Sequence, residues 1–584
     1  MASPGAVAEQ LWSPQNPGKT PLDGYRRHVN DRFKLDLRSG QDLVRWSCER
    51  PQDFWLDVYQ YLELKPALPS HIKYAYDDRV PISQNPPFFE GLEINYAENA
   101  IFSNPDPDAV ALIGIREGQS FDGAEHMTWR EFRDQVRLTA SALRRSGIKR
   151  GDRVAALVAT SNWAMVLFHA TASIGAIFTC ISPDLGLEGC VSRLQQVTPS
   201  IIFADGDNLY KGKSVSTISK LDQILARLKP RPQTYVIPIM NPQSTYPTID
   251  DFLGKANPSD KLSFTRVSFN DPLMICYSSG TTGAPKCIVH RHGIIIQLKK
   301  ISRLHNGLTP SDVVMQYSST SWVVFYVMCG HFSIGATTIC YNGSPLFPDA
   351  RQLIRICHKF GVTYFGASPR YLLEVEMSKC VPKTEFDLSR LRTVYMTGAT
   401  LSAEQYRWFY RAFPPHVQIS NTAGGTDTAT SLIAMDPTGP INAGEMQIRA
   451  MGMDVDVADP TTGESMAHTG EAGEMIVRKP FPSMPCFFWG DEGGKIYKSS
   501  YFERFDNIDV WAQHDWLSWN PKTGGYVMHG RSDGVLSKSC PRPSHTLKLL
   551  TIVQIPPASA SAAARSTPSS KLHHSPITLA THSA

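Results

Sequence analysis

The stretch Leu273–Ile295, LMICYSSGTTGAPKCIVHRHGII, decides how the chain is read. An apolar run of strand character leads into Tyr277-Ser278-Ser279-Gly280-Thr281-Thr282-Gly283-Ala284-Pro285-Lys286, and a helix is expected near His292. Gly280 and Gly283 let the backbone turn sharply and approach a ligand. The hydroxyls of Ser278, Ser279, Thr281 and Thr282 and the exposed amides donate to anionic oxygens, and Lys286 adds a mobile cation. That combination suits a polyphosphate. It differs from the GxxxxGK[ST] loop, because Ala284-Pro285 separates Lys286 from Gly283 and Cys287 follows the lysine.

Around this loop, from about residue 110 to 400, helical and strand-like periodicity alternate, as in TWREFRDQVRLTASALRRSG, DRVAALVA, NWAMVLFHATASIGA and SIIFAD. Helices that stop at a glycine such as Gly147 and lead into short apolar runs indicate parallel sheets flanked by helices, an α/β fold. The same unit recurs at ARQLIRICHKFGVTYFGASP, where Leu353, Ile354, Cys357 and Phe360 share a helix face before Gly361. From about 440 to 534 the segments shorten between Gly- and Asp-rich turns, which indicates a smaller β-rich subdomain. Residues 1–109 are read as a helical extension, with two amphipathic helices around Trp46, Phe54 and Trp55. The core is placed at 110–534 and a divergent tail at 535–584.

Composition excludes several classes. Lys+Arg 58 against Asp+Glu 54 leaves no footprint for nucleic acid or an anionic membrane. The five basic residues from Val535 onward have no acidic counterpart, so the body carries 53 basic and 54 acidic residues. Eleven scattered cysteines read as reduced thiols of a cytoplasmic protein. The uncharged stretch Trp322–Tyr341 is diluted by His331, two glycines and several Ser/Thr, so it is read as a buried helix plus strand rather than a membrane span.

The loop YSSGTTGAPK resembles the phosphate loop of the adenylate-forming superfamily, which includes acyl-CoA synthetases, and further motifs follow in that family's order. VYMTGATLS holds Gly398-Ala399-Thr400, similar to the turn that contacts adenine. ISNTAGGTDTAT resembles the central motif, so that Asn421, Thr422 and Gly425 would line the nucleotide site, Thr426 would contact the α-phosphate and Asp427 would hold Mg²⁺. Asp515, in AQHDWLSW, matches the aspartate that accepts the ribose hydroxyls, although His514 stands where the family has glycine. Arg531 matches the arginine that reaches ribose or phosphate, and Asp533 matches the hinge where the large domain ends. GEAGEMIV looks like a structural hairpin without a ligand, and His290 and His292 are read as exposed residues near a helix start.

The N-terminal segments LVRWSCERPQDFWLDVYQYL and PPFFEGLEINYAENAIF resemble the acetyl- and acetoacetyl-CoA synthetase branch of the family. Within that branch the acetyl-CoA synthetases resemble one another in a tryptophan two residues before the central threonine, which shortens the acyl pocket. Gly424 stands there in this chain, so a deeper acyl pocket is expected, and acetoacetate is the favoured acid over other short-chain acids. Trp322 is expected at the acyl or pantetheine tunnel, with Ser321 in place of the family's glycine. The resemblance implies ATP, Mg²⁺ and coenzyme A as small-molecule reactants, with catalysis by Lys286, Thr426 and positioning rather than by a side-chain nucleophile.

After Gly534 the match ends. The family continues into a mobile C-terminal domain that supplies a lysine, whereas VLSKSCPRPSHTLKLL and the Ser-, Ala- and Pro-rich residues after it match none of that, and the tail is expected to be disordered. The expectation is that the reading frame departs from its ancestral one at about Ser537, Ser-Lys-Ser being writable with a splice-donor sequence. No lysine of the tail is assigned to catalysis, and a nucleotide-binding protein with impaired catalysis is the alternative to an active ligase.

Overall fold

Several apolar runs become strands that follow helices with their own start and stop signals. In helix Trp129–Arg145 the Thr128 side chain accepts from the Glu131 amide, while the Glu131 carboxylate accepts from the Thr128 amide at 2.7 Å. Trp129, Phe132, Val136, Ala140 and Leu143 form its buried face. The chain leaves through Gly147 at φ +85° and enters strand Arg153–Leu157. Helix Gln352–Phe360 repeats the device, ending at Gly361 with φ +58° before strand Tyr364–Ala367. The computed structural model describes residues 9–240, 245–278 and 285–532.

Two seven-stranded sheets result. The first runs Gln233–Ile237, Ile201–Asp205, Arg153–Leu157, Ile177–Ile181 and Pro272–Ser278, all parallel, and then adds Lys286–Arg291 and Phe487–Phe488 antiparallel. The second runs Gln418–Asn421, Thr393–Met396, Tyr364–Ala367, Val313–Gln316, Thr337–Asn342 and Val110–Arg116 in parallel, closed by the antiparallel edge Glu125–Thr128. Helix Val324–Phe332 and strand Thr337–Asn342 account for the long uncharged stretch, and no described helix is long and apolar enough to cross a membrane.

The later strands are antiparallel. Val455–Ala458, Ala472–Val477, Trp511–Trp519 and Tyr526–Arg531 form a four-stranded sheet. The hairpin Ala423–Gly425 with Thr430–Ala434 precedes it, so antiparallel structure begins earlier than residue 440. Helices Gly40–Glu49 and Pro51–Tyr61 bury Trp46, Phe54 and Trp55 in one apolar cluster with Phe168, Phe332 and Met451 of the core. Strand Glu93–Ile94 also pairs with Val267–Ser268, which ties the N-terminal segment to the sheets. Asp533 and the tail 535–584 lie outside the described residues, as does the expectation that the tail is disordered.

Five histidines, His169, His290, His292, His305 and His331, are fully buried in this fold. His305 suits the neutral form: Nδ1 faces the Met435 carbonyl at 2.8 Å, and Nε2 accepts from the Met451 amide at 3.1 Å. Burial pushes His169 and His290 down to about 4 and His292, His305 and His331 down to about 3 from an ordinary 6.5. Below pH 6.5 the unfolded chain therefore binds protons that the native state refuses until pH 4 or 3. Stability falls as pH falls through that window, by up to about 1.4 kcal/mol per pH unit for each histidine. The urea midpoint is expected to drop steeply between pH 6.5 and 4.5, and a flat profile would contradict the burial.

Candidate active site

Ser278 pairs with Lys286, and Tyr277 with Cys287, across antiparallel strands Pro272–Ser278 and Lys286–Arg291. The Ser/Thr/Gly loop therefore closes a hairpin. The helix expected near His292 does follow, as a short turn His292–Ile294 and then Ile295–Lys300, but only after a full strand. Ser279, Gly280, Thr281, Thr282 and Gly283 lie outside the described residues, while Ser278 and Lys286 frame them. Lys286 Nζ donates to Ser500 Oγ at 2.8 Å and lies 5.6 Å from the Phe488 ring centre.

Ser500 and Tyr501 end helix Lys495–Tyr501. The Tyr501 hydroxyl donates to Asp427 Oδ1, and its ring stacks on Trp511 with centroids 3.7 Å apart. Burial and then the Asp427 charge hold the Tyr501 phenol well above the usual range, so it stays a donor. One short helix thus meets both the loop lysine and the candidate metal carboxylate.

Thr426 and Asp427 follow strand Ala423–Gly425. Their backbone is held from below by His290, whose Nε2 lies 2.9 Å from the Thr426 carbonyl. This corrects the reading of His290 and His292 as exposed: strand Lys286–Arg291 is buried on both faces from Cys287 to Arg291, which takes His290 into the core, and His292 is buried accepting from the Tyr96 amide at 3.2 Å. Gly424 is also set by packing. A Cβ there would lie 2.2 Å from the Thr430 carbonyl oxygen, so the close approach of the paired strand excludes any side chain on this backbone.

Gly425 lies against Gln513, where a Cβ would sit 3.5 Å from Nε2. That amide donates to Asp515 Oδ2 at 2.7 Å, and Arg531 Nη1 lies 3.5 Å from Asp515 Oδ1 across the pair Asp515–Arg531. His514 holds φ +63°, the conformation the family's glycine would adopt without cost, and its carbonyl accepts from the Ser532 amide at 2.8 Å. On the other flank, the Thr422 amide donates to the Met396 carbonyl at 3.0 Å, which places Asn421 and Thr422 beside the turn Gly398-Ala399-Thr400. Gly398, at φ +85°, has open space where a side chain would stand, and the three turn residues are exposed. Trp322 is not gathered into this network: it is 57% exposed at the start of helix Val324–Phe332. The neighbouring Ser321 hydroxyl instead accepts from the Ser182 amide at 2.7 Å.

These contacts link the loop lysine, the central motif, the adenine-type turn and the Asp–Arg pair in one region at the carboxyl ends of parallel strands. A family model described as AMP-binding enzyme matches residues 100–486. The chain belongs to the AMP-binding enzyme family. The acetoacetyl-CoA synthetase of Macaca fascicularis is 35% identical over 90% of this chain and 79% of that relative. The malonamoyl-CoA synthetase of Penicillium aethiopicum is 33% identical over 91% of the chain and 76% of that relative. The solved acetoacetyl-CoA synthetase from Streptomyces lividans superposes with a TM-score of 0.84 at 30% identity, covering 90% of this chain and 80% of that one. The family and these relatives are those of ATP-dependent acid–CoA ligases.

Sequence reasoning named His290 but read it as exposed, and it missed Ser500, Tyr501 and Gln513. Gln513 had a signal, since it stands two residues before Asp515 on one strand. Ser500 and Tyr501 had none, because their partners lie 214 and 74 residues away. Among the described residues no cluster of three His, Cys, Asp or Glu could hold a metal by itself. Asp427 is a carboxylate, a hard oxygen donor of the kind Mg²⁺ takes, and Tyr501 engages its Oδ1. Asp515→Ala is expected to weaken ATP binding by about 10- to 100-fold, the scale of a charge-assisted hydrogen bond. Calorimetric titration against ATP checks it, and unchanged affinity would remove Asp515 from the nucleotide site.

Proposed function

We propose that the chain is an acetoacetate–CoA ligase, converting acetoacetate and ATP to acetoacetyl-adenylate and pyrophosphate, and then to acetoacetyl-CoA and AMP. The observation that carries this reading is the convergence of Lys286, Thr426–Asp427 and Asp515–Arg531 around one site. An oxygen of the acid attacks the α-phosphorus as pyrophosphate leaves, and the CoA thiolate then attacks the carbonyl carbon as AMP leaves. Lys286 and the loop hold the departing phosphates, and Thr426 holds the α-phosphate. Asp515 and Arg531 hold the ribose, while Gly398-Ala399-Thr400, Asn421, Thr422 and Gly425 line the base. Magnesium, when bound, supplies charge neutralisation between phosphate oxygens, and Asp427 would hold it.

Both nucleophiles belong to substrates, so the protein contributes position and electrostatics. The cysteines support this division. Cys180, Cys287 and Cys340 are buried, with thiols pushed up to about 12 by burial, and the thiol form is a poor nucleophile.

The Penicillium relative favours a second reading for the acid. Malonamate and acetoacetate differ only in an amide nitrogen for a methyl group, so one pocket shape admits both. An acceptor facing that nitrogen would select malonamate, and an apolar contact would select acetoacetate. ATP–pyrophosphate exchange with acetoacetate, malonamate and acetate separates the cases. Acetoacetate is expected to give the highest kcat/KM, malonamate in first place would replace the acid, and ATP binding without exchange for any acid would leave a nucleotide-binding protein.

A further inference from the structure

A cavity lies at the opposite end of the second sheet from the candidate active site. The candidate active site follows the carboxyl ends of Thr393–Met396 and Gln418–Asn421, whereas this cavity is bordered by Leu308–Pro310 and Ser333–Ile334, just before the amino ends of Val313–Gln316 and Thr337–Asn342. Its volume of about 620 Å³ is that of a small-molecule site. The N-terminal helix Pro21–Phe33 and the segment around Tyr61–Lys65 form its other wall.

Five cations border it: Lys19, Arg27, Lys65, Lys299 and Arg303. Two acids oppose them, and Glu98 is already committed to a two-point pair with Arg266 at 2.7 and 2.9 Å. Arg27 is partly neutralised by Asp23 at 3.2 Å. Lys65 and Arg303 instead lie over rings, 5.9 Å from Phe102 and from Tyr61 respectively. Lys299 donates to Ser103 Oγ at 3.2 Å, and burial, then Arg303 and Lys65, push its ammonium down to about 8 against the opposing pull of Glu63. Mutual repulsion among three cations is a cost that a bound anion would relieve.

The backbone carries a second, independent feature here. Ile301–His305 is a π-helical turn continuing Ile295–Lys300, with Arg303 exposed while Leu304 and His305 are buried. Such turns cost regularity and occur disproportionately at functional sites. Here the turn sets Arg303 beside the cavity while its neighbours stay in the core.

We infer that this cavity binds a small polyphosphorylated molecule, at a site separate from the candidate active site. Phosphate groups would meet Lys65, Lys299 and Arg303, and the Tyr61 and Phe102 rings would border the rest of the ligand.

The test uses the full chain and inorganic tripolyphosphate as the probe, with Lys299 acylation by acetic anhydride read by peptide mass spectrometry. Tripolyphosphate is expected to protect Lys299 with half-effect at about 1 mM or below. The exposed-residue variants Lys65→Gln and Arg303→Gln are each expected to weaken protection by about tenfold, whereas Lys286→Ala leaves it unchanged. No protection, or protection untouched in both Gln variants, would overturn the inference. Loss of protection in Lys286→Ala would do so equally, by assigning the effect to the nucleotide site.

Discussion

The structure hangs on the change of strand direction at Pro272–Ser278. On one side this strand pairs in parallel with Ile177–Ile181, and on the other it pairs antiparallel with Lys286–Arg291. Parallel neighbours need a long crossover, but an antiparallel neighbour needs only a short loop. The chain leaves this strand at Ser278 and returns at Lys286 beside it, so both ends of the Ser/Thr/Gly run are fixed by backbone pairing. Lys286 is held where the strand begins, and its ammonium donates to Ser500 Oγ.

Everything else in the candidate site is brought to this strand pair by other sheets. The hairpin Ala423–Gly425 carries Thr426 and Asp427, and the four-stranded sheet carries Gln513, Asp515 and Arg531. Helix Lys495–Tyr501 bridges the first sheet and this hairpin through Ser500 on Lys286 and Tyr501 on Asp427. Both hydroxyls occupy groups that carry charge, so they hold the lysine and the carboxylate apart and oriented. Beneath them, His290 fixes the Thr426 carbonyl from inside the core, where burial keeps the imidazole neutral. Its role is positioning, and it reaches the site only through the backbone of the central motif.

The N-terminal segment shows how charge and packing can share one surface. Trp46, Phe54 and Trp55 are continuous with the core, and the buried Lys300 donates to the Met451 carbonyl while lying 5.1 Å from the Trp55 ring. Burial pushes that lysine down to about 7. One residue earlier, Lys299 faces the basic cavity instead. Adjacent lysines on one helix thus take opposite tasks because the helix turns about 100° per residue.

Periodicity and end signals made the parallel α/β units legible. The capping box at Thr128, the glycine stops at Gly147 and Gly361, and the apolar runs after them each specify local structure within a few residues. The loop composition and the order of the motifs likewise made Lys286, Thr426, Asp427, Asp515 and Arg531 candidates without coordinates. Contacts between distant segments were decided by tertiary structure. Neither the hydroxyls of Ser500 and Tyr501 nor the burial of His290 has a local signature, because each depends on which surface packs against it. Gly424 makes the same point: by sequence it is an absent tryptophan, and in the fold it is a strand crossing too close for any side chain. Local chemistry determined which groups could act, and only the register of strands far apart in the chain determined which of them meet.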